Sequence, residues 1–115
     1  MLNLNKVKVY LKPGATDLRK SILGLSVLVE SEMGEDLLSG SIFGFSNRNR
    51  KLIKLLYWDQ NGFCLWMKRL EKDQFQWPKK ESQSIQLTQR ELNWLLDGLD
   101  LKQKAHKKLP YTEVS

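Results

Sequence analysis

Six cations, Arg48, Arg50, Lys51, Lys54, Lys68 and Arg69, are concentrated in one stretch of the chain, where they alternate with bulky apolar residues and with Trp58 and Trp66. Exposed arginine and lysine neutralise phosphate, and an exposed indole face stacks a nucleobase, so this combination of residue types suits a nucleic acid. Strand alternation alone produces the same pattern, with aromatics in a core and cations on a solvated face. The polar tip Asn47-Arg48-Asn49-Arg50-Lys51 is therefore the better candidate for contact, and the tryptophans are the better candidates for packing.

Other chemistry has thinner support. Asp17, Asp59 and Glu71 are the carboxylates near motif positions, and a metal-dependent nuclease needs two or more converging on divalent ions. Each also has an ordinary use: a helix start, a turn and a strand end. His106 is the only histidine and has no second ligand beside it. Cys64, the only cysteine, excludes an intramolecular disulfide and a multi-cysteine zinc site, and reads as a small packed hydrophobe. No catalytic residue, no metal site and no cofactor is expected.

The elements that must position the cations follow from local patterns. Val7, Val9 and Leu11 alternate with lysine and tyrosine up to Pro13-Gly14, a first strand. Thr16 suits a helix cap, and Leu18, Ile22, Leu25 and Val29 share one face, which predicts a helix over 17–33 that stops near Gly34. Ile42, Phe43 and Phe45 mark a second strand. Residues 52–58 and 63–70 form two more strands around an Asn61-Gly62 turn, a strong hairpin signal. Phe75 and Trp77 suggest a fifth strand that ends at Pro78. The strands after the first helix read as a meander. The polar run through Ser84 reads as a linker, and Thr88 with Glu91 has the spacing of a capping box for a helix over 89–99. The fold class is α+β, a mainly antiparallel four- to five-stranded sheet with two packed helices, in one domain over 1–101. The lysine-rich residues 102–115 are a basic tail.

Size and charge set bounds. The chain has 115 residues and a formal charge of +6, enough for one modest core and favourable to anionic partners on encounter. No apolar stretch is long enough to span a bilayer, and the lone cysteine fits a reducing compartment, so a cytoplasmic location without membrane contact is expected.

The segments Leu55-Leu56-Tyr57-Trp58-Asp59, Gly62-Phe63-Cys64-Leu65-Trp66-Met67-Lys68-Arg69-Leu70-Glu71 and Phe75-Gln76-Trp77-Pro78 carry a specific resemblance. Together with Thr16-Asp17-Leu18-Arg19-Lys20 and the Leu95-Leu96-Asp97-Gly98-Leu99-Asp100 helix end, the chain resembles the second-open-reading-frame proteins of the insertion-sequence-sixty-six group of bacterial transposable elements. The resemblance runs roughly from Val7 to Leu101. It implies a protein encoded beside a larger transposase that carries out the strand chemistry, and hence a non-enzymatic accessory role with DNA or the partner transposase as ligand. Relatives of this type carry an arginine-rich loop between the second and third strands, which here is diluted by asparagine. Two other readings stand beside it. A metal-dependent nucleic-acid-processing enzyme would need converging carboxylates, and a purely protein-binding adaptor would need an apolar face or groove.

Overall fold

The computed structural model describes residues 7–98, so the basic tail with His106, and the expected helix end at Leu99, lie outside the described residues. The alternation at Val9 and Leu11 builds β1 (Val9–Ala15), which runs on through Pro13-Gly14 instead of closing there. Its register with the neighbouring strand shifts between Leu11 and Ala15, an irregularity that accommodates a proline without an N–H and Gly14 at φ 80.

The first helix starts later than the Thr16 pattern predicts. Thr16 donates its N–H to Ser46 O at 2.8 Å and so extends the sheet, and its side chain is buried. Ser21 is the cap instead, accepting from Gly24 N ahead of α1 (Ile22–Leu28). The chain continues in a wider π-helical turn, Val29–Met33, and stops at Gly34, whose φ of 68 belongs to the left-handed region that glycine tolerates. This crossover returns the chain parallel to β1 as β2 (Ile42–Ser46). Parallel neighbours need such a helix-containing connection.

From β2 the chain forms the expected meander through β3 (Leu52–Asp59) and β4 (Gly62–Arg69), with Tyr57 opposite Cys64. The turn between them is one residue earlier than Asn61-Gly62. Gln60, at φ 54, and Asn61 form it, Asn61 N donates to Asp59 O, and Gly62 already pairs with Asp59.

Phe75 and Trp77 lie outside the strands. Alternation records only that two side chains face the same way, and here both enter the core from a strap whose backbone bonds to loops: Phe75 N to Arg50 O at 2.7 Å and Gly14 N to Pro78 O at 2.9 Å. The fifth strand is β5 (Ile85–Leu87), which is antiparallel to β1 and too short to show a period. The sheet order is β4-β3-β2-β1-β5. Both bonds of the Thr88–Glu91 capping box then form, at 2.9 and 3.1 Å, and open α2 (Gln89–Leu96).

Strand alternation divides the core between two faces. Phe43, Phe45 and Leu56 meet Leu25, Val29 and Met33 of the crossover on one side. Val9, Leu11, Ile42, Ile53 and Leu55 meet Leu92 and Leu95 of α2, with Phe75 and Trp77, on the other. The helices therefore cover opposite faces. Gly44, in the central strand, lies beneath Trp77: a Cβ there would meet Leu11 Cδ2 at 2.7 Å, Leu55 Cδ2 at 3.2 Å and the indole at 3.4 Å. The indole Nε1 donates to Lys12 O at 3.0 Å in a buried bond. Gly44→Ala is expected to overpack this point and lower the unfolding free energy by about 1–3 kcal/mol. Urea titration of the two proteins checks it, and equal midpoints would contradict the packing described.

Candidate nucleic-acid interface

The asparagines that interrupt the basic tip shape it. Asn47 Oδ1 accepts from Lys51 N and Leu52 N at 3.1 and 3.2 Å, and Asn49 Oδ1 accepts from Lys51 N at 3.2 Å. Side-chain amides of this kind replace the backbone partners that a tight turn lacks. Arg50 takes the left-handed conformation, φ 57, and closes the turn by donating its N–H to Asn47 O. Gln74, on the strap, then holds the loop from both ends: its Nε2 donates to Asn49 O at 2.9 Å and its Oε1 accepts from Arg50 Nη2 at 3.1 Å. Leu70 N and Phe75 N add bonds to Lys51 O and Arg50 O. In the sequence Asn47 reads only as part of the polar tip and Gln74 does not stand out, because a polar residue at a turn has no distinguishing period.

Between this loop and the β1–α1 connection lies a cleft of about 1040 Å³, lined by Ala15, Thr16, Asp17, Leu18, Arg19, Asn47, Arg48, Asn49, Leu52 and Arg69. A smaller hollow of about 250 Å³ adjoins the other side of the loop, where Arg48, Arg50 and Lys79 meet Trp77. Of the six cations picked out by sequence, Arg48 and Arg69 come together on the cleft and are exposed. Arg50 is exposed but bonded to Gln74, and Lys51 is half-buried at the base of the loop. Lys54 and Lys68 turn inward. Lys54 Nζ donates to Leu18 O and Lys68 Nζ to Leu96 O, each at 2.7 Å. The second of these caps the carbonyl end of α2, where a cation is favoured.

Arg19 joins the cleft without having been picked out, because its segment reads as a helix start. Its guanidinium holds Asp17 through two bonds, 2.9 and 2.8 Å, and its backbone N–H adds a third at 3.0 Å. These bonds hold the Asp17 carboxyl well below the usual carboxylate range, and they push Arg19 up. The pair contributes little net charge to the rim, so Arg48 and Arg69 set its sign.

The tryptophans lie elsewhere. Trp58 makes an edge contact with Phe63, ring centroids 5.0 Å apart, near the far hairpin end. That is six residues along β3 from Leu52, roughly 20 Å from the cleft. Trp66 packs against the α2-side core. Burial pushes the Tyr57 phenol up, with Cys64 opposite it as a lesser cause. Among the described residues, no three His, Cys, Asp or Glu side chains form a group able to hold a metal ion. Asp59 and Glu71 fall at opposite ends of β4.

These features define a small α+β domain with a surface cleft rimmed by arginine. The chain belongs to the family described as IS66 Orf2 like protein, whose model matches residues 7–106. It is similar to the uncharacterized protein y4hO of Sinorhizobium fredii, 34% identical over 94 residues that cover 82% of each chain. The uncharacterized protein y4jC of the same organism is 29% identical over 94 residues, 82% of this chain and 80% of that one. No solved structure matches. Family membership ties the chain to a transposition-associated accessory role.

Two outcomes are expected. Asn47→Ala removes the acceptor for two N–H groups and should cost about 1–3 kcal/mol, with faster hydrogen exchange at Lys51 and Leu52. Asp17 has a lowered folded pKa, so its stabilising effect is complete above its ordinary value of 3.8 and is lost as pH falls below that value. Asp17→Asn should therefore flatten the loss of stability on acidification, which thermal melts at successive pH values below 5 would show.

Proposed function

We propose that the protein is a non-catalytic accessory factor for DNA transposition that grips the DNA backbone through Arg48, Arg69 and the adjoining Lys51, with the partner transposase as a second ligand. One observation carries this reading: Arg48 and Arg69 form no ion pair or hydrogen bond through their side chains among the described residues, yet they share a cleft large enough for a phosphodiester segment. Cations without internal partners are free to neutralise phosphate, and the formal charge of +6 favours encounter. Backbone contacts of this type supply affinity and leave sequence choice to other groups.

A protein-binding reading has its own support in α1, where Leu23 and Val27, one turn apart, are 74% and 54% exposed. The same titration separates the two. Each phosphate neutralised contributes about −0.9 to the slope of log affinity against log salt, so replacing Arg48 and Arg69 with glutamine should flatten that slope by about 1.8 on specific and scrambled duplexes alike. Melting temperature should hardly change. Lys54→Gln and Lys68→Gln should do the reverse, leaving the slope alone and lowering stability by about 1–3 kcal/mol through an orphaned carbonyl. Fluorescence anisotropy at several salt concentrations reads the slopes, and thermal melts read the stabilities. A double arginine variant that binds as tightly as the parent would remove the cleft as a DNA site and favour docking through α1.

A further inference from the structure

The loop between β2 and β3 has a positive depression on each side of it. The cleft lies on the α1 face of the sheet, since Leu18 and Leu52 of its lining belong to that half of the core, and Arg48 and Arg69 stand on its rim. The smaller hollow lies on the α2 face, because Trp77 of the other half lines it, together with Arg48, Arg50 and Lys79. Arg48 borders both. No carboxylate lines the hollow, and the one that lines the cleft, Asp17, is taken by Arg19. Lys79 is exposed and, among the described residues, makes no ion pair or side-chain hydrogen bond. The basic loop is therefore a wall between two surfaces that attract anions.

We infer that the tip of this loop enters the major groove of duplex DNA, one strand's backbone lying against Arg48 and Arg69 on the α1 face and the other strand's against Arg50 and Lys79 on the α2 face. The inference rests on the DNA-gripping reading above and adds the second strand to it. A single strand on the cleft would leave the hollow and its cations unused, whereas a groove supplies two phosphate backbones, one for each side of a wall. Thickness selects the groove. Stacked sheets lie about 10 Å apart, so a ribbon with side chains on both faces is about that thick; the major groove, about 12 Å wide, admits it, and the minor groove, about 6 Å wide, does not. The wall is set before DNA arrives, because Gln74 already holds Asn49 O and Arg50 Nη2, which leaves little ordering to be done on binding. Arg50 keeps further N–H donors for phosphate while one holds Gln74.

Fluorescence anisotropy of the full chain tests this with three probes: a duplex, one of its strands alone, and the same duplex with neutral methylphosphonate linkages in one strand. The duplex should bind about tenfold or more tightly than either of the others. Lys79→Gln should flatten the duplex salt slope by about 0.9 and leave that of the single strand unchanged. Its melting temperature should match the parent's, because Lys79 has no internal partner to lose. If Lys79→Gln leaves the duplex slope intact while replacement of Arg48 and Arg69 flattens it, the DNA lies on the cleft alone, so the groove inference falls and the proposed function stands. If neither change alters binding, both fall. Equal affinity for the duplex and the half-neutral duplex, or for the duplex and the single strand, would also overturn the inference.

Discussion

A missing side chain in the central strand governs how the rest of the protein packs. At Gly44 the sheet has a dent, and the Trp77 indole fills it, held in depth by Leu11 and Leu55 and in orientation by its bond to Lys12 O. A bare dent would be a void, and an added methyl would be a clash, so only this pairing brings the α2-side core to close packing. Trp77 cannot occupy it unless the irregular strap follows, which places Phe75 beneath the basic loop and Gln74 against Asn49 and Arg50. The conformation of the arginine-bearing loop is thus set by core packing on the other side of the strap.

The cations divide by what their length allows. Lys54 and Lys68 sit on opposite faces of adjacent strands, and each lays its aliphatic stem along the sheet to reach an unpaired carbonyl, one in the β1–α1 connection and one at the end of α2. They act as pins, one per face. Arg50 is held by Gln74 and Arg19 by Asp17, which leaves Arg48 and Arg69 to face solvent across the cleft. A positive run in a sequence is therefore a poor measure of positive surface here.

What could be read in the residues was whatever depends on near neighbours. The β2–β4 meander follows from alternation and a turn, and the second helix from a capping box three residues wide. Failures came where the deciding partner is distant. Thr16 and Ser21 are equally good caps by type, and the choice rests on Ser46 O, which takes the Thr16 N–H. β1 has parallel and antiparallel neighbours on its two sides, which no local pattern distinguishes. Alternation placed Lys68 on the face opposite Arg69, but the helix end waiting there was invisible. Gln74 gave no signal, and Asn47 gave only that of a polar turn, because their importance lies in the bonds they accept and donate.

The position of β1 also bears on the order in which the protein assembles. As synthesis proceeds, β1 emerges first, yet its pairing partners are β2, beyond the whole crossover, and β5, which follows nearly everything else. Loops of that length are entropically slow to close, whereas β2, β3 and β4 need only short turns. The hairpin ribbon can form while the ribosome is still working. The first strand must wait, with Val9 and Leu11 uncovered, until Leu87 and α2 arrive to close the face over them.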